Sequence, residues 1–258
     1  MKKITIVVPV NKYSEELKKY YEGALASVPS NDDNYSVLVI GPKDVLKDFE
    51  KVPTTYEGRI KFVENDVSDF CSQINEAAKH CDEYFSILEV DDTYTPIWFK
   101  NVQEHISGLL DVSVFIPLAE VYDVSGEERV PVGLANEVAL SQAYSDNVGY
   151  LTTDELLDYS DFSVTGSVFK TSDFIEVGGL KPSIKLAFWT EFLLRITSNS
   201  KQVYVIPKIG YQHTLNRPDC LVEEYSKLDE EEAKWYFELA KKEYFFKEDR
   251  KKTYNAEN

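Results

Sequence analysis

Three carboxylates fall within four residues in the segment Glu89-Val-Asp91-Asp92. Carboxylates this close repel one another and raise each other's pKa values unless a cation lies among them. Hard divalent ions such as Mg²⁺ and Mn²⁺ prefer oxygen ligands of this kind and often share them with the phosphates of a substrate. The segment therefore predicts either a divalent-metal site or, as the alternative, a solvated acidic loop that caps the following helix.

The acidic segment lies at the end of a predicted buried strand. Apolar runs and helical patterns alternate before it, with strands predicted at 4–10, 35–40, 60–63 and 84–90 and helices at 14–28, 44–49 and 69–81. Strands separated by helices of this length require crossover connections, which predict a mainly parallel sheet. Ligands of such sheets bind outside the carboxyl ends of the strands, so the three acids lie where a site is expected.

The rest of the chain is predicted to complete this α/β domain. Thr95 is the expected N-cap of a helix over 97–110, with Pro96 at its first position. The further predictions are strands at 112–118, 163–170 and 202–207, loops at 120–150, a capping box at 152–155, and helices at 173–177, 190–198 and 221–252. The domain boundary is placed after residue 220, with a helical extension over 221–258.

Composition excludes several classes of protein. The 258 residues carry a net charge of −17, with 43% apolar and 13% aromatic residues, which is unlike a disordered acidic chain. The charge also argues against nucleic-acid binding and against adsorption to anionic lipid. The N-terminal apolar run is short and ends at Pro9, no segment is long enough for a membrane span, and the three cysteines form no disulfide framework. These features predict a cytoplasmic protein.

Several motifs occur in an order that is more specific than any one of them. The first strand ends in Pro9, and Asn75 lies in the helix that precedes the acidic segment. Farther along, the chain has Ser167-Val-Phe169 and then Val177-Gly-Gly-Leu180. Together with Glu89-x-Asp91, which stands where relatives have Asp-x-Asp, this order over roughly residues 1–215 resembles the family 2-type glycosyltransferases of the GT-A fold.

The resemblance implies a GT-A (Rossmann-like) α/β fold, a mainly parallel sheet flanked by helices, and an activity. That activity is transfer of a sugar from a nucleotide-diphosphate donor to an acceptor hydroxyl, with inversion. A Mn²⁺ or Mg²⁺ cofactor is implied on Asp91 and on His213, which matches a late histidine of the family. Glu89 is expected near the ribose or the metal, and Asp92 completes the acidic site. The alternative for the lone His213 is a structural role.

The resemblance also implies a set of donor-binding residues. A UDP-sugar is the expected donor, although only Asp44 stands in for the acidic residue that reads uracil after the second strand, and the usual arginine before Asn75 is missing. Trp189 is expected to stack on a sugar face, and Arg217 to hold a phosphate unless it is simply solvated. The remaining candidates are Pro9, Val10, Asn11, Tyr13 and Asn75.

The catalytic base is where the chain departs from the family. Relatives carry an acidic pair before a Leu-x-x-Arg helix, and alignment on Arg195 puts Phe188 and Trp189 at those positions. Glu191, two residues beyond Trp189, is the candidate base, and an exposed helix acid is the alternative.

Two other functions stay open, the first because the acidic pair is missing and the second because nucleotidyltransferases share the sheet and the acidic metal site. One is a nucleotide-sugar-binding or scaffold protein without turnover. The other is a nucleotidyltransferase, which is ranked last because residues 11–15 lack the Gly-rich basic loop that such enzymes use. The expected acceptor is a protein or a saccharide, nucleic acid being disfavoured by the charge, and the C-terminal helix is the predicted contact for a homo-oligomer.

Overall fold

The computed structural model describes residues 1–30, 32–52, 59–67, 69–125, 128–217 and 229–242. The strands in these ranges are β1 Ile4–Pro9, β2 Tyr35–Gly41, β3 Ile60–Glu64, β4 Tyr84–Ile87, β5 Thr93–Tyr94, β6 Val112–Asp123, β7 Val130–Ala135, β8 Tyr150–Leu151, β9 Val168–Lys170 and β10 Gln202–Leu215. The helices are α1 Glu15–Ala26, α2 Lys43–Phe49, α3 Phe70–Ala78, α4 Trp98–Gly108, α5 Thr153–Asp158, α6 Thr171–Glu176, α7 Phe188–Ser198 and α8 Glu230–Ala240. Two 3₁₀ segments cover Glu137–Leu140 and Pro182–Ala187.

The strands form one sheet in the order β3-β2-β1-β4-β9-β6-β10-β5, with β7 paired to β6 and β8 to β10. The half from β3 to β4 is parallel, as the alternating sequence pattern predicts. In the other half β6 and β10 are parallel, whereas β9, β7, β5 and β8 run antiparallel to their neighbours. The predicted α/β class, with a mostly parallel sheet between helices, is therefore confirmed.

Apolar residues on the two faces of the sheet build two large cores. One core packs α3 and α7 against the sheet, through residues such as Ile74, Phe85 and Phe192. The other packs α1 and α4 on the opposite face, through Tyr21, Trp98 and Val102. Strands covered on both faces read as continuous apolar runs, which is why the sequence pattern locates β1, β2 and β4. None of the described helices is long and apolar enough to cross a membrane.

Several predicted elements needed correction. The predicted loops at 120–150 are wrong because β6 continues to Asp123 and pairs with β7, an exposed strand whose Pro131 and Gly133 conceal its strand character. The strand predicted to end at Pro207 continues to Leu215. Because proline has no N–H group, the ladder with β6 is interrupted at Pro207 and resumes at Ile209.

Two helix boundaries were also predicted wrongly. Helix α4 has Ile97 as its N-cap, and the Thr95 hydroxyl donates instead to the Ile209 carbonyl. The long helix predicted over 221–252 is interrupted, since Asp229 is the extended N-cap of α8 and Lys241 its C-cap. Residues 218–228 and 243–258 lie outside the described residues. The division at residue 220 stays a prediction.

Candidate active site

The acidic segment forms a turn that β10 holds in place. Strand β4 ends at Ile87, earlier than predicted, and the Asp92 N–H donates to the Glu89 carbonyl at 3.1 Å. Asp92 is only 1% exposed. Its Oδ1 accepts the Thr214 N–H at 2.7 Å, and its Oδ2 lies 2.8 Å from His213 Nδ1. The Thr214 hydroxyl donates to the Asp91 carbonyl at 2.8 Å. Predicted site residues 121 positions apart therefore meet in one cluster.

A buried tyrosine supports the first residue of the turn. The Glu89 N–H donates to the Tyr211 hydroxyl at 3.1 Å. The Tyr211 ring packs over Gly166, which has φ +71°, and a Cβ built at Gly166 would lie 2.3 Å from Tyr211 Cδ2. Only a residue without a side chain leaves room for this ring. Tyr211 and Gly166 therefore position the turn, although neither carries the chemistry.

The charges of the cluster shift the pKa values of its members. Burial, followed by the charge of Asp92, raises the pKa of Glu89 to about 8. Burial raises the pKa of Asp92 as well, although the charge of His213 opposes it. Burial of the imidazole acts to lower the pKa of His213, but the charge of Asp92 and the hydrogen bond to it prevail and raise this pKa to about 9. The contact with Asp92 therefore favours the protonated form of His213 in the folded protein.

Asp91 has a cation partner of its own. Arg217 Nε donates to Asp91 Oδ2 at 2.7 Å, and the two side chains are 9% and 7% exposed. Tyr21 of α1 lies beside this pair: burial raises its pKa to about 12, the charge of Arg217 lowers it and that of Asp91 raises it. The Tyr21 hydroxyl donates to the Lys12 carbonyl, and its ring stacks on Tyr13 at 5.9 Å. Helix α1 thus forms one wall of the site.

The residues present fit a divalent ion with two protein ligands. His213 directs Nδ1 to a carboxylate, the arrangement that orients a metal-binding imidazole and leaves Nε2 for the ion. Asp91, whose charge contributes to the raised pKa of His213, supplies carboxylate oxygens. The described ranges contain no group of three or more His, Cys, Asp and Glu side chains arranged to hold a metal. Further ligands would therefore have to come from water or from substrate phosphates, as is common for Mg²⁺.

The predicted donor residues after the first two strands lie at the same edge of the sheet. Pro9 ends β1, and the Val10 N–H donates to the Ile40 carbonyl at 2.8 Å while its side chain is buried. Asn11 is exposed and accepts a 2.6 Å hydrogen bond from Gln73 Nε2. Asp44 is exposed in the first turn of α2.

Gln73, for which the sequence predicts no role, is fully buried in the described structure. Its Oε1 has no hydrogen-bond partner there, and its Nε2 reaches the exposed Asn11. In the sequence, Gln73 cannot be distinguished from a glutamine on the exposed side of a helix. No sequence pattern therefore predicts that Gln73 lies next to Asn11.

Asn75 and Trp189, two predicted donor-binding residues, both make contacts within the fold. Asn75 Oδ1 accepts the Leu180 N–H at 2.7 Å, and its Nδ2 donates to the Leu180 carbonyl at 2.7 Å, so both polar atoms are used. Trp189 is half-buried and stacks on Phe169 at 5.7 Å with an interplanar angle of 11°. Donor contact by these two side chains stays a prediction, which the use of both polar atoms of Asn75 within the fold disfavours.

Glu191 likewise lacks the surroundings of a catalytic base. Its side chain is 0% exposed, and it accepts hydrogen bonds from Arg195 Nε at 2.8 Å and Nη2 at 2.9 Å. Lys181 Nζ lies 3.1 Å away. Arg195 also donates to the Val177 and Gly179 carbonyls. Glu191 is therefore part of a buried ion cluster that ties α7 to the Gly-Gly loop. The sequence-based alternative of an exposed helix acid is wrong, and the role as base stays a prediction that this burial disfavours.

Two of the residues that build the site, Tyr211 and Thr214, were missed in the sequence. Both lie on the part of β10 beyond Pro207, where the predicted strand ends. The two buried residues are three positions apart, so the segment lacks the period-2 pattern that marks a half-buried strand. Pro207 and Gly210 are residue types that are depleted in strand interiors, which also favoured an early end of the strand.

Comparison with known proteins identifies the fold. No protein-family model and no curated protein sequence matches the chain. Among solved structures, S. aureus TarS 1-349 in complex with UDP-GlcNAc is similar with a TM-score of 0.60 and 16% identity, over 91% of this chain and 70% of that one. The present chain covers 60% of the length of another structure of S. aureus TarS 1-349.

Two structures that contain Mn²⁺ are similar as well. The mannosyltransferase PcManGT from Pyrobaculum calidifontis, in complex with GDP-Man and Mn²⁺, has a TM-score of 0.61 and 12% identity over 84% of this chain and 58% of that one. GalNAc-T7 with UDP, GalNAc and Mn²⁺ has a TM-score of 0.59 and 12% identity, over 98% of this chain and 57% of that one. With its sheet order and its acidic turn after β4, the chain has the GT-A glycosyltransferase fold.

Proposed function

We propose that this protein transfers a sugar from a nucleoside-diphosphate donor to an acceptor hydroxyl. The observation that carries the proposal is the acidic turn after β4, which lies at the ligand-binding edge of a GT-A sheet and is held by His213 and Thr214. In the reaction the bond from the anomeric carbon to the donor phosphate breaks, and a bond to the acceptor oxygen forms. The acceptor loses its proton, and the nucleoside diphosphate leaves.

The proposal includes Mn²⁺ or Mg²⁺ on Asp91 and His213. When bound, the ion would supply Lewis-acid stabilisation of the charge on the departing diphosphate. Asp92 orients His213 and keeps it charged when the ion is absent. The Arg217 guanidinium is a second cation beside Asp91, with the planar donor groups that suit phosphate. Mn²⁺ in the structures of PcManGT and GalNAc-T7 supports this part of the proposal.

A UDP-sugar is the proposed donor, because UDP and UDP-GlcNAc occur in the similar TarS structures. GDP-Man in PcManGT makes GDP-sugars the competing class. Inversion, a protein or saccharide acceptor, a cytoplasmic location and a homo-oligomer formed through α8 stay predictions.

The test is a panel of UDP-, GDP- and CDP-sugars with Mn²⁺, read as release of the nucleoside diphosphate. We expect turnover with one class of donor and its loss in Asp91→Ala. Asp111→Ala is the matched control, because Asp111 is an exposed acid just before β6, at the opposite end of the sheet. Turnover that survives in Asp91→Ala contradicts the proposal, and the configuration of the transferred sugar decides whether the reaction inverts.

The second candidate is a nucleotide-sugar-binding protein without turnover. The observation that favours it is the burial of Glu191 in a structural ion cluster, which leaves the predicted base unable to reach an acceptor. Calorimetric binding of UDP-sugars without release of UDP in any acceptor screen would favour this candidate. Binding with release would favour the enzyme.

A further inference from the structure

Arg217 occupies the carboxylate that a divalent ion would need. Its Nε lies 2.7 Å from Asp91 Oδ2, and both side chains are more than nine-tenths buried. A hydrogen-bonded pair in such a position is stronger than the same pair at the surface, because little water screens it. Asp91 is therefore already neutralised by a group of the protein itself.

The second aspartate of the turn also has a partner within the protein. His213 Nδ1 lies 2.8 Å from Asp92 Oδ2. Asp91 and Asp92 are therefore each already contacted by a side chain of β10 or of the segment just after it. An ion that enters alone finds its carboxylate partner occupied.

A divalent ion and the Arg217 guanidinium cannot both bind the Asp91 carboxylate without weakening each other's contact. They carry the same sign of charge, and each would have to lie within a few ångströms of one carboxylate. Ion binding to the free protein must therefore weaken or break the contact between Arg217 and Asp91. A nucleoside diphosphate changes this balance, since its phosphate oxygens offer the guanidinium another bidentate partner while also ligating the ion.

We propose that Arg217 is an internal counter-ion that competes with the divalent metal for Asp91, so that metal and nucleoside diphosphate bind cooperatively. The inference rests on the proposed function, because it assigns the metal to Asp91 and the diphosphate to the same site. It adds an order of events: Arg217 protects Asp91 in the donor-free protein and is released to the phosphates when donor and ion bind together. The coupling is reciprocal, so the ion must raise affinity for UDP by the factor by which UDP raises affinity for the ion.

The test measures Mn²⁺ binding by electron paramagnetic resonance, without any turnover. Wild type is compared with Arg217→Gln and with the control Arg129→Gln. Arg129 is exposed and lies over the Tyr122 ring, so its substitution removes the same unit of charge as Arg217→Gln. Without nucleotide, we expect Arg217→Gln to bind Mn²⁺ roughly 10-fold more tightly than wild type, and Arg129→Gln to behave like wild type. Adding Asp91→Asn to Arg217→Gln should abolish this increase in Mn²⁺ affinity.

The same titrations with UDP give an independent arm. UDP should tighten Mn²⁺ binding in wild type and do so by a smaller factor in Arg217→Gln. The inference is overturned if Arg217→Gln binds Mn²⁺ no more tightly than Arg129→Gln. Should Arg217→Gln fail to fold, wild type alone decides, because equal Mn²⁺ affinity with and without bound UDP also overturns it. Absence of UDP binding to every variant, with or without Mn²⁺, would instead contradict the proposed function.

Discussion

At the scale of single residues, the site is governed by which buried charge has which partner. Asp92 uses both carboxylate oxygens, one on His213 and one on the Thr214 N–H. Glu89 has no cation within hydrogen-bonding distance among the described side chains, and its pKa is raised to about 8. These differences give three neighbouring acids three different environments. They also make the stability of the metal-free protein depend on pH.

The first prediction concerns that pH dependence. The pKa of His213 is raised from 6.5 to about 9 in the folded protein, so the stabilisation from its charged form is complete below pH 6.5 and is lost as the pH rises through 9. Glu89 acts in the same direction, because its carboxyl binds a proton more tightly in the folded than in the unfolded state. We expect the free energy of unfolding of the metal-free protein to fall by on the order of 2 kcal/mol between pH 6.5 and 9.

Urea denaturation at several pH values measures this slope in the presence of a chelator. His213→Gln should give a shallower slope, which the remaining contribution of Glu89 keeps above zero. His105→Gln is the control, because His105 lies on α4 and its Nδ1 contacts only the Asn101 carbonyl of its own helix. Equal slopes for wild type and His213→Gln would contradict the assigned ion pair.

A second prediction separates the structural from the catalytic interpretation of Glu191. Glu191→Gln keeps the shape but leaves Arg195 and Lys181 without their buried carboxylate. We expect a loss of about 3 kcal/mol in the free energy of unfolding, the usual cost of breaking a buried pair from one side. Denaturation measures the loss, with Glu176→Gln as an exposed acid for comparison. Unchanged stability together with lost turnover would restore Glu191 as the base.

At the scale of elements, β10 determines whether the site exists. It is the strand that carries Tyr211, His213 and Thr214 to the turn after β4, and its pairing with β6 survives the irregularity at Pro207. The turn is therefore held by a strand far away in sequence. Local patterns predicted β1, β2, β4 and the capping box at Thr152, because those signals depend on neighbouring residues. The continuation of β10 depends on long-range pairing, which no local pattern shows.

The same distinction explains which site residues the sequence could predict. Asp91, Asp92, His213 and Arg217 were predicted from residue type and motif order, and the structure brings them together. Asn75 and Glu191 fit the same motifs but contact Leu180 and Arg195 instead. A motif indicates that a residue is needed, and only the packing of the fold shows whether it faces a ligand or a neighbouring loop.

The third prediction tests the role given to Asn75. Asn75→Ala removes both hydrogen bonds to Leu180 and leaves its buried backbone groups unsatisfied. We expect a loss of about 2 kcal/mol in the free energy of unfolding, with the KM for the donor unchanged in the folded fraction. Asn101→Ala, which removes an exposed side-chain hydrogen bond to the Ile97 carbonyl on α4, is the control. A raised donor KM at unchanged stability would favour the donor-binding role.

At the scale of the whole molecule, α8 is attached to the domain by a small apolar cluster. Tyr236 and Ala240 pack against Ile184 and Ala187, and Lys185 pairs with Glu232 at 3.2 Å. Beside this cluster, Trp235 is half exposed, with its ring edge-on to Tyr236 at 4.9 Å. The buried side of α8 therefore stabilises the segment that precedes α7, and the exposed part of Trp235 is available for the predicted contact between copies of the chain.

The fourth prediction separates these two sides. Tyr236 is 8% exposed and Trp235 is 50% exposed, so Tyr236→Ala should lower the free energy of unfolding by about 2–3 kcal/mol and Trp235→Ala by less than about 1 kcal/mol. Thermal denaturation measures both losses. Light scattering on the same variants tests the predicted homo-oligomer, which Trp235→Ala should weaken. Similar losses for both variants would contradict the assignment of the buried side.

The packing of Tyr211 over Gly166 has a consequence for how this protein tolerates change. A single methyl group at residue 166 would have to displace a ring whose hydroxyl supports the backbone of Glu89. In a library of random variants screened for activity, we therefore expect substitutions at Gly166 among the inactive variants, together with substitutions at Asp91 and His213. Gly166 itself has no functional group. Engineering a new donor preference should therefore keep Gly166 and vary the side chains around Asn11 and Gln73 instead.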